Sequence, residues 1–290
     1  MSKTELLGPT SHTFMSQRLR LHYVDWGNAD APPLLLVHGG RDHCRSWDWV
    51  AQELRHDWHV IAPDLRGHGD SAWSPDGSYT IASHLYDLAQ LIHQLELTPV
   101  TMVAHSLGGS ASLRYAGVFP ETVRKLVVIE GLAHIPESVL EANAQPPHVR
   151  WRHWIDERRR MAGRAPHRYA SIEQALARMR AENEHLSVEQ ARHLTIHGVS
   201  RNEDGSYSWK FDNYVRSRVP LEMSEEQLHA LWKRINCPVL LCWGRNSWAH
   251  DPSRELHHFQ DARVAAFDDA GHWLHHDQFA AFVAALKGFL

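Results

Sequence analysis

The chain is poor in several things that define whole classes of protein. It has three cysteines in 290 residues, Cys44, Cys237 and Cys242, an odd number with no C-x-x-C spacing. That argues against a disulfide framework or a thiolate zinc site, and reads as reduced thiols of a cytoplasmic protein. It has no long apolar run. The longest, such as Leu34 to Val37 and Leu126 to Ile129, fall far short of a bilayer-spanning helix. Its first residues, M-S-K-T-E-L-L-G-P-T, lack the apolar core of a signal peptide, so none is expected. It has no block of lysine and arginine, and its formal net charge is −4, so nucleic acid is not an expected partner. Internal repeats and low-complexity segments are missing too. The 24 histidines are scattered. The pairs His257–His258 and His275–His276 sit in polar helical surroundings and are read as a solvated face, not as metal ligands.

What is present is a 43% apolar composition, enough for a sizeable core. Short apolar runs alternate with helical patterns. P-L-L-L-V-H-G-G, H-V-I-A-P-D, V-T-M-V-A-H-S, K-L-V-V-I-E-G, P-V-L-L-C-W-G and A-R-V-A-A-F read as strands buried on both faces. Between them lie stretches such as Ile81 to Leu95, apolar at Ile81, Leu85, Leu88, Leu91, Ile92 and Leu95, a helical spacing. This alternation predicts an α/β fold with a mostly parallel, doubly wound sheet. One interval breaks it. Residues 134–235 are charged and tryptophan-bearing, and contain three S-x-E-Q segments at Ser171, Ser187 and Ser224, each a predicted capping box. They are read as a helical lid inserted into a core of residues 1–133 and 236–290. Within it, Asn202 to Phe211 carries a D-G turn and is a candidate hairpin.

In doubly wound sheets, ligands bind at the carboxyl ends of the strands. The residues there are H-G-G-R-D from His38, D-L-R-G-H-G from Asp64, H-S-L-G-G from His105, E-G-L from Glu130, W-G-R-N-S-W from Trp243 and A-G-H-W from Ala270. They supply a serine, a carboxylate and a histidine in that chain order. Ser106 lies between an apolar strand and a helix opened by Gly108 and Gly109, which places it at a tight strand-to-helix turn. His272 follows the last strand and is the candidate general base. His38 and His105 are rivals read as structural.

H-G-G, D-L-R-G-H-G-x-S, A-H-S-L-G-G, F-P-E-x-V-x-K-L-V and A-G-H-W together resemble the α/β-hydrolase superfamily, nearest its esterase-like serine hydrolase branch. The resemblance covers roughly residues 18–133 and 236–290. It implies Ser106 as nucleophile, His272 as base, and an oxyanion hole from the backbone N–H groups of Leu107 and Gly40. The pattern departs in two places. Ala104 stands where the family has its first elbow glycine. Ser247 stands where the family has its usual acid, after W-G. Glu130, closing the preceding strand as in some members, is the preferred acid, with Asp251 the alternative.

The resulting expectation is a carboxylic ester hydrolase working through an acyl-enzyme on a small-molecule ester, with no cofactor or metal required. Lactones and thioesters suit the same machinery. Dehalogenases and epoxide hydrolases need a carboxylate nucleophile, which serine at 106 opposes. A cofactor-independent dioxygenase using His272 and Glu130, and a non-enzymatic binding protein, remain the competing readings. Trp154, Trp209 and Trp248 are candidates for lining a substrate pocket, though helix packing accounts for them as well. Arg41 could bind a substrate carboxylate, but pairing with Asp42 or Asp64 is the preferred reading. With no cationic cluster at the strand ends, modest uncharged acyl chains are the expected substrates.

Overall fold

The computed structural model describes residues 8–132, 145–162, 164–217 and 223–290. Its centre is an eight-stranded sheet. The strands are β1 (Thr10–Ser16), β2 (Leu19–Asp25), β3 (Pro33–Val37), β4 (His59–Pro63), β5 (Val100–His105), β6 (Val123–Ile129), and, after a small separate hairpin of β7 (Val199–Arg201) and β8 (Tyr207–Trp209), β9 (Val239–Gly244) and β10 (Ala262–Phe267). Their spatial order is β1-β2-β4-β3-β5-β6-β9-β10. All neighbours from β4 to β10 run parallel, while β1 and β2 form an antiparallel edge. The sequence pattern misses β1 because its outer half is solvent-exposed and carries little apolar signal.

The continuous apolar runs are explained by cover on both faces. Successive residues of a strand point to opposite sides. Leu35, Val37, Met102, Ala104 and Val128 pack beneath α2 (Ile81–Gln94) and α3 (Ser106–Val118). Their neighbours Leu34, Leu36, Val103, Val127 and Ile129 pack against α1 (Asp48–Leu54) and the C-terminal helix. A strand buried this way has no polar face to alternate with.

Between β6 and β9 come α4 (Pro147–Ala162), α5 (Ile172–Glu182), α6 (Val188–Gly198), the β7–β8 hairpin and α7 (Glu225–Trp232). The hairpin lies where the D-G turn predicts it, with Gly205 at φ +84°. Two of the three capping boxes form fully, at Ser187 and Ser224. At Ser171 the serine caps Gln174, but the glutamine accepts from Ala170 instead. The start of the insertion expected at residue 134 falls outside the described residues. α7, the last helix of the insertion, packs on the core, with Leu228 and Trp232 buried in the α2–α3 cluster, and it lines the cleft as well. The Leu231 carbonyl lies so close to Gly117 that a Cβ there would sit 2.7 Å away. Among the described residues no helix is long and apolar enough to cross a membrane.

The histidine pair at 275–276 overturns its reading as a solvated face. Both are buried, in α8 (Leu274–Asp277), just ahead of α9 (Phe279–Phe289). His275 stacks on Trp47 at 4.8 Å and His276 meets the edge of Trp49 at 5.8 Å. A one-turn helix has no solvent face of its own, so polarity in the sequence misreports its burial.

Candidate active site

β5 ends at His105 and α3 begins at Ser106, with no residue between. So abrupt a reversal requires Ser106 to take φ +48°, a left-handed conformation costing a non-glycine residue about 1–3 kcal/mol. Close helix–strand packing sustains it. A Cβ on Gly108 would lie 2.4 Å from the His38 carbonyl, and one on Gly109 would lie 2.9 Å from the Gly131 Cα. Ala104, fully buried on the strand side, does not prevent the turn.

β6, the next strand, ends the same way. Ala104 pairs with Val128 and His105 with Ile129, so the residues after them, Ser106 and Glu130, leave the sheet side by side. Glu130 also has φ +48°. Its side chain is fully buried and its carboxylate takes three donors. His272 Nδ1 donates to Oε2 at 2.5 Å, the Ser247 hydroxyl donates to Oε2 at 2.6 Å, and the Gly244 N–H donates to Oε1 at 3.0 Å. Because an ionised carboxylate only accepts, Nδ1 carries the imidazole proton. The lone pair of Nε2 is left facing Ser106 Oγ, 3.0 Å away. The arrangement can draw a proton from the hydroxyl and hold the resulting imidazolium against a buried negative charge.

Asp251 does not join this group. It caps the 3-10 turn Pro252–His258, accepting from the N–H and hydroxyl of Ser253, and these bonds hold its carboxyl below the usual range. Ser247, in the place of the family's usual acid, is a hydroxyl donor to Glu130, and is itself bonded by the Ala249 N–H. Sequence reading marks Ser247 as a gap and misses this. The signal available was the pairing of a displaced acid with a small hydroxyl in the vacated position.

Gly40 and Leu107 lie together at the floor of a wide cleft, beside Ser106. Leu107 is in the first turn of α3, where N–H groups have no intrahelical acceptor. Among the described residues Gly40 donates to none either. Gly39 passes so near the elbow that a Cβ would lie 2.6 Å from His105 Nδ1 and 3.2 Å from Ser106 Cβ. His38 braces this loop, bonded through Nδ1 to the Gly39 carbonyl and accepting at Nε2 from the Leu65 N–H. Burial pushes its pKa down to about 3, so it stays neutral. His105 is likewise held neutral by burial, and its Nε2–H donates to the carbonyl of His272 at 2.9 Å. It fixes the backbone that carries the second histidine.

Trp154, Trp209 and Trp248 all line the cleft. Trp248 lies over the His272 ring at 4.7 Å with much of its surface exposed, while Trp209 is tied to the Tyr169 hydroxyl. The Arg41 expectation is corrected. Asp42 accepts from the His43 N–H, and Asp64 is taken by His22, Cys44 and Asp70, so Arg41 pairs with neither. Arg41, at φ +62°, lines the cleft instead.

A sheet of this order, with a serine on a left-handed elbow facing a histidine, defines a hydrolase architecture. The family model for the alpha/beta hydrolase fold matches residues 32–279, and the chain belongs to that family. An esterase of Mycobacterium tuberculosis is 26% identical over 290 residues, spanning 98% of this chain and 90% of its own. An sn-1-specific diacylglycerol lipase of Mus musculus is 27% identical over 277 residues, 91% of this chain and 82% of that protein. Among solved structures, a thioesterase domain from the curacin biosynthetic pathway is similar with a TM-score of 0.83 at 23% identity, covering 97% of this chain and 99% of its own. That last likeness is one of fold.

Proposed function

We propose that the protein is a serine hydrolase that cleaves carboxylic esters through an acyl-enzyme. The observation that carries the reading is the unbroken line of hydrogen bonds from Ser106 Oγ through His272 to the buried carboxylate of Glu130. Ser106 Oγ attacks the substrate carbonyl carbon as His272 Nε2 takes its proton, and the carbonyl π electrons move onto oxygen. The N–H groups of Leu107 and Gly40 receive that oxyanion; fixed donors of this kind are worth about 3–4 kcal/mol each in the transition state. Collapse of the tetrahedral species breaks the ester C–O bond, and Nε2–H protonates the departing alcohol. Water then repeats the attack with His272 as base, releasing the acid and restoring Ser106. Glu130 stays ionised throughout, fixing the tautomer and stabilising the imidazolium.

The insertion of residues 134–235 is assigned the role of a lid, since α4, α5, the β7–β8 hairpin and α7 supply much of the cleft wall. Trp154, Trp209 and Trp248 are assigned to the substrate-binding surface. The relatives named above as esterase and lipase support ester chemistry.

The test is covalent. A fluorophosphonate is expected to add once to the intact protein, with the adduct mapping to Ser106 and disappearing in Ser106→Ala. No adduct on the folded wild-type protein would remove the acyl-enzyme reading and favour chemistry that uses the His272–Glu130 pair without a serine nucleophile.

A further inference from the structure

Two arginines from different elements open onto the cleft. Arg41 follows Gly40 directly and opens onto the same space as Ser106. Arg216, closing the 3-10 turn Asn213–Arg216, lines that space from the segment between β6 and β9. Neither has an ion-pair partner among the described residues. Burial lowers the pKa of Arg216, and of the charges acting on it that of Arg41 is the strongest, with Arg164 and Arg178 acting the same way. Glu182 opposes them, and it is already bonded to Arg178. Two acids of the adjoining segments are engaged. Asp212 accepts from the Tyr79 hydroxyl and the Tyr214 N–H, and Asp70 is paired with Lys210.

Arg41 also shares a small side pocket with Lys210 and Phe211, just ahead of the turn that carries Arg216, and two such guanidinium groups with no ion-pair partner among the described residues repel. An anion between them relieves the repulsion, and the planar fork of arginine suits the paired oxygens of a carboxylate or phosphate. We propose that Arg41 and Arg216 form a subsite for an anionic group, a carboxylate or a phosphate, that the substrate carries away from its scissile carbonyl. The inference rests on the ester-hydrolase reading above and replaces the expectation of uncharged acyl chains. That expectation drew on the tryptophans of the inserted segment and on the strand ends, and it left Arg216 out.

Two matched substrate pairs locate the charge. Para-nitrophenyl hydrogen adipate against para-nitrophenyl hexanoate puts a carboxylate on the acyl chain. S-butanoyl pantetheine phosphate against S-butanoyl pantetheine puts a phosphate on the leaving group. The anionic member of one pair is expected to have kcat/KM roughly 10–100-fold higher, the scale of charge-assisted hydrogen bonds. The advantage should sit in KM and shrink as ionic strength rises from ~0.05 to ~0.5 M. Arg216→Gln should collapse the ratio, and Arg41→Gln should do the same. Since Arg41 occupies a left-handed position in the oxyanion loop, Arg216→Gln, on a separate element, decides the matter if Arg41→Gln disturbs that loop. Calorimetric titration with adipate and with inorganic phosphate reads the subsite without turnover. Equal kcat/KM within both pairs, or a preference that survives Arg216→Gln, overturns the proposal. If nothing is hydrolysed and Ser106 is not labelled, the ester-hydrolase reading is the one that fails. Calorimetry then decides the anion subsite alone, its loss in Arg216→Gln supporting it and its absence in the wild type sinking it.

Discussion

Glu130→Gln is expected to lower kcat by about 10³–10⁴-fold, the loss that follows when the acid partner of a catalytic histidine is neutralised. Glutamine keeps the shape and the acceptor oxygen but removes the charge opposite the imidazolium. Its amide nitrogen, if turned toward His272, forces the wrong tautomer and directs an N–H at Ser106. Steady-state kinetics on a para-nitrophenyl ester, with circular dichroism to establish folding, measures this. Asp251→Asn, in the same assay, should cost less than about tenfold, because Asp251 is an exposed cap bonded to Ser253. Ser247→Ala should fall between the two, since it strips one donor from Oε2 and leaves the His272 and Gly244 bonds in place. Full activity in Glu130→Gln together with a dead Asp251→Asn would reverse the assignment of the acid.

Acid should unfold the protein over a narrow range. Burial lowers the pKa of His38 and His276 to about 3 and of His68 to about 4, and lowers His84, His105 and His275 well below the ordinary value. In the unfolded chain each titrates near 6.5. Between those limits the unfolded state binds more protons, so stability is full above about pH 6.5 and falls as pH drops toward the folded values. Each histidine contributes a slope of about 1.4 kcal/mol per pH unit. Asp64 acts in the same direction at lower pH, its carboxyl held below the usual range although burial alone would raise it. The bond from His22 is the strongest of the opposing influences, ahead of the His38 and His22 charges and the Cys44 N–H. Asp42 acts the other way, its carboxyl pushed up by burial to about 6, and offsets about one histidine. The remainder is several kcal/mol per pH unit against a total stability of about 5–15 kcal/mol. Urea midpoints should be flat from pH 8 to about 6.5 and then drop steeply, with unfolding complete before pH ~4. A midpoint that holds to pH ~4.5 would mean these histidines take up protons without unfolding the chain.

The site was legible where chemistry is local to a strand end. Ser106, Glu130 and His272 each close or follow an apolar run, and a parallel sheet gathers such ends on one edge, so strand ends together with the family resemblance singled them out, with Asp251 left as the alternative acid. What the sequence concealed depends on contacts between distant segments. Ser247 reads as a missing acid until Glu130 is seen beside it, 117 positions away. Arg216 carries no motif; only the path of the chain after α6 brings it to the cleft. β1 is hidden by its exposed face, and His275 and His276 by the brevity of the helix that buries them. α7 starts from the same S-x-E-Q pattern as the helices before it, and that pattern does not reveal that Leu228 and Trp232 pack in the α2–α3 cluster.

The position of the carboxylate has a consequence for how this scaffold can change. Ser106 and Glu130 leave adjacent, hydrogen-bonded strands in matching left-handed turns, so their spacing is set by sheet register alone. The loop after β9 is thereby relieved of holding an acid. It keeps only the Gly244 N–H and the Ser247 hydroxyl as ties to Glu130, and beyond them it presents Trp248 to solvent above His272. Trp248 can therefore be exchanged for other side chains, with substrate choice altered and every bond to Glu130 untouched, making this exposed position the natural one to randomise in a combinatorial library.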